Sequence, residues 1–494
     1  MHLIDLNAEG RTWDEQFKTD TGIAALKNIS SRKFGYNDWA VGFEHPPLAK
    51  YLYGLSFLPE LKTINPKSVS QDEYDYLLNG NYYAGMNGSG LIKIQPYDFT
   101  TPRVVSAALN AGTVALTFLI AYFCFQQILP GIISALILLS LPRFVAMGRL
   151  MTFESISGFL VALLFTYLLS RKKKNGDVIS SIIPGILLGA LLWTRYNNIS
   201  VFITYAGWIG IAELFKKQRE WKKALLHIFL TFFIAGILGF IVWPFLWIDF
   251  PRGIFATVAE HKTRIIVSSF YHVLSFLQTT PAIYLGLLFV GCVVCIKNRT
   301  REHVLFLWWF FSTAVFFMLF SSPGGATRYM FVIYPATALI AATGASWLLS
   351  GTKTFGKAFA LFCLASYGVV TLSSVHPYYL DYYNAFVGGI KGAKQKKLEV
   401  SWWGEGQRAA GLWLRKNAAP NAKIGLMVTP KYVFPRIRTD VVLLPYGEQI
   451  EVADYAVVSK TDLAAFRKTK GIWKQVYTVN AEDVPLIYVF QREK

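Results

Sequence analysis

Ten apolar runs fill the middle of the chain, and each approaches the length that an α-helix needs to cross a bilayer. A helix requires about 20 apolar residues to span about 30 Å of hydrocarbon. The pattern therefore predicts an α-helical multi-pass membrane protein with about ten spans. These lie at residues 103–126, 128–147, 155–170, 178–195, 198–215, 225–247, 280–296, 304–320, 328–349 and 357–375.

Two less apolar segments flank these runs. Residues 1–102 predict a long first external loop that contains amphipathic stretches such as 46–58. The C-terminal segment has a helical stretch followed by short strand-like runs, at 405–418, 423–428, 441–445, 455–459 and 485–490. This alternation predicts a small external α/β domain. We therefore expect three parts: residues 1–102, a transmembrane domain at 103–375, and a C-terminal domain at 376–494.

Basic residues cluster in alternate loops between the runs, and this predicts the orientation of the chain. Lysines and arginines concentrate on the cytoplasmic side of membrane proteins. Here they fill the loops Arg171 to Lys174, Lys216 to Lys223, Lys297 to Arg301, and Lys353 to Lys357. Both termini are then external. Because a long polar N-terminal segment does not readily cross a membrane unaided, we expect a further hydrophobic helix upstream of this start.

The composition agrees with a membrane protein and argues against nucleic-acid binding. Of the 494 residues, 53% are hydrophobic and only 16% are charged, and the net charge is +19. Loop cations that face anionic headgroups explain this charge, so membrane lipid is a predicted partner. Outside the loops we find no basic stripe with interleaved aromatic residues, and no nucleic-acid partner is predicted.

Acidic and basic residues recur at the predicted external ends of the spans. Asp14 and Glu15 precede a predicted helix, where they are either site residues or ordinary partners of the helix dipole. Arg149 and Glu154 flank the loop between the second and third runs. Because charge at membrane depth is costly unless it is paired, these two residues form either a functional site or a structural salt bridge.

A proline turn and three arginines add to this external set. The run Glu44-His45-Pro46-Pro47-Leu48-Ala49-Lys50 brings an acid, an imidazole and an ammonium around a rigid turn. Arg103, Arg195 and Arg328 each stand at the external mouth of a span. They are either anchors that reach the interface or contacts to an anionic substrate, such as a lipid phosphate.

Several of these segments resemble the protein O-mannosyltransferases and their bacterial and archaeal relatives, which are GT-C-type glycosyltransferases that use polyprenyl-phosphate sugars. The segments are WDEQF, EHPPLAKYL, PRVVSA and GRLMTFES, and the tail segments HPYYLDYYNAFVGG and SWWGEGQ resemble prokaryotic members with an external C-terminal domain. Two features depart from the family pattern. Glu154 stands where the family usually has Asp, and the helix that normally precedes the acidic pair is absent.

The resemblance implies an inverting transfer of a mannose-like sugar from a polyprenyl-phosphate donor to an external acceptor, either a protein or a glycolipid. Asp14 would be the general base, Glu15 its orienting neighbour and Glu154 a further catalytic residue. The predicted substrate-binding residues are Glu44, His45, Lys50, Arg103, Arg149, Arg195 and Arg328. No cofactor is required, although a divalent cation held by Asp14 and Glu154 stays an open alternative.

A transporter or flippase for lipid-linked sugars is the alternative function. Such a protein would also place charges at the membrane, but acids in the middle of spans and paired broken helices would then be expected. The charges of this chain lie at one predicted face, which favours the transferase.

Overall fold

The N-terminal segment folds as helices that lie against the membrane helices. The computed structural model describes residues 5–40, 42–43, 45–63, 98–170, 178–262, 270–320, 326–428, 433–444 and 450–493. Helix α1 (Trp13–Ser30) and helix α3 (Leu48–Leu61) follow the predicted helical stretches, with the short α2 (Tyr36–Trp39) between them. Helices α1 and α3 touch backbone to backbone, since a Cβ at Gly22 would lie 2.2 Å from the carbonyl oxygen of Lys50.

All ten predicted apolar runs are helical. Their helices, with the short ones between them, are α4 (Thr100–Phe125), α5 (Ile128–Leu139), α6 (Pro142–Arg149), α7 (Phe153–Ser170), α8 (Val178–Thr194), α9 (Ile199–Leu214), α10 (Trp221–Val242), α11 (Pro244–Ile248), α12 (Arg252–Lys262), α13 (Tyr271–Thr279), α14 (Ala282–Asn298), α15 (Arg301–Leu319), α16 (Tyr334–Leu348) and α17 (Thr354–Val375). Six helical segments of the described residues are long and apolar enough to cross a membrane, or up to eight if each of two bent pairs is one span.

Prolines account for the two bends. Helices α5 and α6 meet at 69°, and α13 and α14 meet at 114°. Pro142 and Pro281 lie at these breaks. Proline cannot donate a helical hydrogen bond, and it disfavours helical geometry in the residue before it. The predicted run 128–147 is therefore two helices rather than one straight span.

Helix α16 is the centre of the bundle. The span that contains it, Thr327–Leu348, is 83% buried. Small residues let its neighbours approach closely: a Cβ at Gly344 would lie 2.5 Å from the carbonyl oxygen of Leu287 on α14. The 3₁₀ turn Ala326–Ile333 leads into this helix and carries Arg328 to one end of the bundle.

The C-terminal segment contains the predicted α/β domain, with one strand more than the sequence indicated. Its helices are α18 (Gly389–Gln395), α19 (Gln407–Asn417) and α20 (Leu463–Phe466), and its strands are β1 (Lys423–Met427), β2 (Val442–Leu444), β3 (Tyr455–Ser459), β4 (Trp473–Ala481) and β5 (Val484–Arg492). The sheet order is β2-β1-β3-β5-β4. Strand β1 pairs in parallel with β2 and β3, whereas β5 is antiparallel to β3 and β4. The missed strand, β4, is an edge strand whose mixed exposure hides the alternation of apolar residues.

Candidate active site

Asp14 lies in the first turn of α1, where its carboxylate accepts a 3.1 Å hydrogen bond from Arg328. The Lys18 ammonium lies 3.8 Å from the same carboxylate, one helical turn further along α1. The Asp14 side chain nevertheless stays 32% exposed. It is thus a carboxylate that two cations hold in place and that stays partly exposed.

Glu15, the neighbour of Asp14, is sequestered. Its carboxylate accepts two hydrogen bonds from Arg103, of 2.8 and 2.7 Å, and neither side chain is more than 1% exposed. It also accepts the backbone N–H of Thr12 at 2.8 Å and that of Met151 at 3.1 Å. The two hydrogen bonds with Arg103 connect the start of α1 to α4, and the hydrogen bond from Met151 connects it to the loop after α6. Glu15 therefore fixes the position of Asp14.

Glu154 pairs with Arg195 rather than with Arg149. The Arg195 guanidinium donates to Glu154, and their side chains are 10% and 3% exposed. Arg195 also lies over the ring of Tyr329, 4.3 Å from its centroid. The alternative of a structural salt bridge between Arg149 and Glu154 is therefore wrong.

Arg328 joins the membrane helices to the C-terminal segment. Its guanidinium lies 5.6 Å from the ring centroid of Trp402 and 5.1 Å from that of Trp403. The two indoles are stacked, with centroids 5.0 Å apart. Since Arg328 also binds Asp14, the tryptophan pair forms one wall beside the exposed carboxylate.

Arg149 faces a different group of residues. Its guanidinium donates to the backbone carbonyl of Asp5 and lies 5.3 Å from the ring centroid of Tyr379. Its assignment to the donor phosphate stays a prediction, because no contact in the described residues joins it to Asp14.

The proline turn stands beside the cluster. The Lys50 ammonium donates to the backbone carbonyls of Gly42 and His45 and so closes the turn on itself. The His45 ring lies 5.3 Å from the ring of Phe153, the residue before Glu154. Glu44 lies outside the described residues.

Two groups of functional candidates escaped the sequence analysis. Lys18 could have been found from its spacing, because oppositely charged residues four apart on a helix face each other. Trp402 and Trp403 belong to the quoted SWWGEGQ segment, but nothing in the sequence indicates that they lie beside Asp14, which is far away along the chain.

A second set of buried acids lies near two arginines, with Glu9 close to Arg149 and both Asp381 and Glu405 close to Arg143. Glu9, Asp381 and Glu405 are each at most 3% exposed. Burial raises the pKa of Asp381 to about 6 and that of Glu405, which also faces Asp381, to about 8. Burial and the nearby Glu405 raise the pKa of Glu9 as well. These carboxyls bind protons at a pH where exposed acids are ionised.

The electrostatics of the first cluster favour an anion. Among the described residues, Lys18, Arg195 and Arg328 form ion pairs only with Asp14 and Glu154, which leaves one excess positive charge in this set. Burial by itself would raise the pKa of Asp14, but Lys18, Arg328 and Arg195 outweigh it and hold that pKa below its ordinary value. Asp14 is therefore ionised at neutral pH.

A divalent metal does not fit the described part of this site. No group of three His, Cys, Asp or Glu side chains among the described residues could hold a metal ion. Asp14 and Glu154, the ligands that the sequence left open, each face a cation instead.

Comparison with known proteins bears on the family and the fold. Residues 40–254 match the family model described as dolichyl-phosphate-mannose-protein mannosyltransferase. The match contains His45, Lys50, Arg103, Arg149, Glu154 and Arg195, whereas Asp14, Glu15 and Arg328 lie outside it. No sequence among the curated proteins matches the chain.

Solved structures share the fold over nearly the whole chain. ArnT from Cupriavidus metallidurans bound to undecaprenyl phosphate aligns with a TM-score of 0.52 and 13% identity, over 99% of this chain and 95% of that one. The apo state of ArnT gives the same values. The archaeal oligosaccharyltransferase AglB from Archaeoglobus fulgidus, in complex with an inhibitory peptide and a dolichol-phosphate, aligns at 10% identity over 92% of this chain and 66% of that one, with a TM-score of 0.46.

The family resemblance and the predicted fold class are thus confirmed. Residues 40–254 match the dolichyl-phosphate-mannose-protein mannosyltransferase family, and the chain is a membrane glycosyltransferase of the GT-C type that uses a polyprenyl-phosphate sugar.

Proposed function

We propose that this enzyme transfers a mannose-like hexose from a polyprenyl-phosphate carrier to the hydroxyl of an external acceptor, with inversion at the anomeric carbon. The acceptor is a protein or a glycolipid. One observation carries the proposal: a partly exposed, ionised carboxylate, Asp14, lies among largely buried cations that come from three distant parts of the chain.

Asp14 has the properties that a general base needs here. It is the more exposed of the two carboxylates in the cluster, since its side chain is 32% exposed against 3% for Glu154. Its lowered pKa keeps it in the proton-accepting form at neutral pH. A carboxylate of this kind accepts a proton late in the reaction, when the attacking hydroxyl has become acidic.

The leaving group needs positive charge rather than a general acid. A polyprenyl phosphate is already a stable anion when it leaves, so the protein has to stabilise the charge that develops on it. Arg195 and Arg328 supply two guanidinium groups beside Asp14, and a guanidinium can bind phosphate with two parallel hydrogen bonds.

The step that we propose is a single displacement. The acceptor oxygen bonds to the anomeric carbon from the face opposite the phosphate, while the bond from that carbon to the phosphate oxygen breaks. The electron pair of the broken bond stays on the polyprenyl phosphate, and the hydroxyl proton passes to Asp14. His45, which is close to Phe153, is placed to orient a substrate rather than to act on it.

The connectivity of the helices supports an external site. Helix α8 ends at Thr194, next to Arg195 of the cluster, and α9 then returns to the basic loop that begins at Lys216. Helix α17 runs from the basic residue Lys353 to the C-terminal segment that carries Trp403. Since basic loops lie in the cytoplasm, the cluster belongs to the other side.

Replacing Asp14 with Asn tests the proposal. The change D14N keeps the size of the side chain but removes the base, and positioned general bases contribute about 10²- to 10⁴-fold. We expect turnover of a synthetic polyprenyl-phosphate mannose by purified protein in vesicles to fall by that factor, while donor binding persists. The control is D249N, since Asp249 is exposed and pairs only with Arg252 among the described residues.

The same vesicles separate a transferase from a transporter. A flippase moves the labelled donor between leaflets with its sugar–phosphate bond intact, whereas the transferase releases polyprenyl phosphate and a glycosylated acceptor. Full transfer by D14N would refute the role of Asp14. Lipid movement without bond cleavage would instead support the transporter.

A further inference from the structure

One buried cation of the cluster has no part in the step described above. Lys18 is only 1% exposed, and its ammonium donates a 2.9 Å hydrogen bond to the backbone carbonyl of Met151. Among the described residues, this is its one hydrogen bond. An ammonium is costly to bury unless other charges compensate it, so the position needs an electrostatic reason.

The surroundings of Lys18 concentrate its charge on Asp14. The ammonium lies 4.7 Å from the ring centroid of Phe153 and 5.8 Å from that of Trp403. These rings keep water from the amine, and charges interact more strongly where water is excluded. The Asp14 carboxylate, 3.8 Å away, is the nearest group of opposite charge.

Asp14 is consequently held from two directions. Arg328 binds it at 3.1 Å, from the 3₁₀ turn before α16, and Lys18 approaches from α1 itself. With both cations in place, 32% of the Asp14 side chain is still exposed, and an incoming hydroxyl can approach this part. Without Lys18 the carboxylate could rotate toward Arg328 and form a closed pair.

We propose that Lys18 is a positioning residue of the transfer reaction, whose ammonium holds the Asp14 carboxylate in the orientation in which its exposed part meets the acceptor hydroxyl. The proposal rests on the proposed function, in which Asp14 is the base.

The pKa shifts of the two residues agree with this geometry. Lys18 and Arg328 outweigh burial and lower the pKa of Asp14. Burial lowers the pKa of Lys18, and Asp14 and Glu154 only partly oppose this. Lys18 therefore loses its proton at a lower pH than an exposed lysine does. The other charged groups around this pair are Glu15, Arg195 and Arg328.

Kinetics over a range of pH test the proposal. We expect K18M to lower kcat/KM about 10-fold or more at neutral pH. In the pH profile of kcat/KM, the acid limb should move to higher pH by about one unit or more, since a nearby opposite charge shifts the pKa of a carboxyl by about that amount. K18R should keep the acid limb of the wild-type pH profile. Its alkaline limb should move to higher pH, because a guanidinium does not lose its proton where Lys18 does.

A matched control separates this effect from the loss of any lysine. Lys27 lies on the same helix but is exposed, so K27M should leave both limbs unchanged. If Lys18 only anchors the loop at Met151, K18M lowers the amount of folded protein and leaves the acid limb in place. That result would overturn the proposal.

A measurement without turnover distinguishes failure of this proposal from failure of the proposed function. The infrared band of the Asp14 carboxyl is the band that D14N removes, and it can be titrated in purified protein. We expect it to titrate below the ordinary aspartate pKa of about 3.9 in the wild type and higher in K18M. Equal titration in both proteins refutes the role of Lys18, whatever the enzyme transfers.

Discussion

A substitution at Glu15 distinguishes a structural role from a catalytic one, because Glu15 is adjacent to the proposed base yet wholly buried. In E15Q one carboxylate oxygen becomes an NH₂ group. Both oxygens now accept N–H groups: one faces Arg103 and Met151, the other Arg103 and Thr12. Whichever oxygen is replaced, the new NH₂ group faces two N–H donors and cannot accept a hydrogen bond from either.

The cost follows from this geometry. Each donor left without an acceptor in a buried site costs about 1–3 kcal/mol, and removal of one partner from a buried ion pair costs about 3–5 kcal/mol in total. The Glu15 and Arg103 side chains are at most 1% exposed, so water cannot compensate. We expect E15Q to destabilise the folded protein by about 3–5 kcal/mol.

Thermal unfolding in detergent, followed by tryptophan fluorescence, measures this loss as a fall in Tm and in half-life at a fixed temperature. Gel filtration measures the amount of folded protein, and kcat is expressed per folded molecule. We expect kcat of the folded E15Q fraction to stay within about tenfold of the wild type, far above D14N. E15Q with wild-type stability, or with the activity loss of D14N, would refute the assignment of Glu15 as an anchor.

Three further predictions address the membrane side, the donor and the C-terminal segment. In a background without native cysteines, an impermeant thiol reagent should label K468C from outside the membrane and K217C only after the membrane is permeabilised. Labelling of K217C from outside would overturn the orientation predicted from loop charge. R328A should weaken donor binding about 10- to 100-fold in a direct binding assay, because a charge-assisted contact contributes about 1.5–3 kcal/mol; unchanged affinity would exclude Arg328 from the phosphate site. Burial raises the pKa of Asp381 to about 6 and that of Glu405 to about 8, so these two groups bind more protons in the folded than in the unfolded state; the stability that they contribute is fully present below about pH 4 and is lost as pH rises through 6 to 8, and the protein should be less thermally stable at pH 8 than at pH 5. The double variant D381N/E405Q should flatten this dependence, and equal wild-type stability at pH 5 and pH 8 would contradict it.

The sequence by itself determined the elements of this protein, because each depends on neighbouring residues. Apolar runs of sufficient length specify helices wherever lipid replaces water, and all ten runs are helical. Short apolar runs between turns likewise indicated four of the five strands. Loop charge predicted an orientation that the helix connectivity supports, and the order of short motifs indicated the family.

Only the tertiary structure decided which charges meet. The sequence leaves open a salt bridge between Glu154 and Arg149, five residues away, but Glu154 binds Arg195 across the bundle. Glu15 and Asp14 are neighbours in sequence, yet Arg103 sequesters one while the other stays exposed. Local patterns cannot predict this, because the pairing of charges depends on which helix ends pack together. The burial of α16 and the wall formed by Trp403 belong to that packing, and both join residues that are distant along the chain.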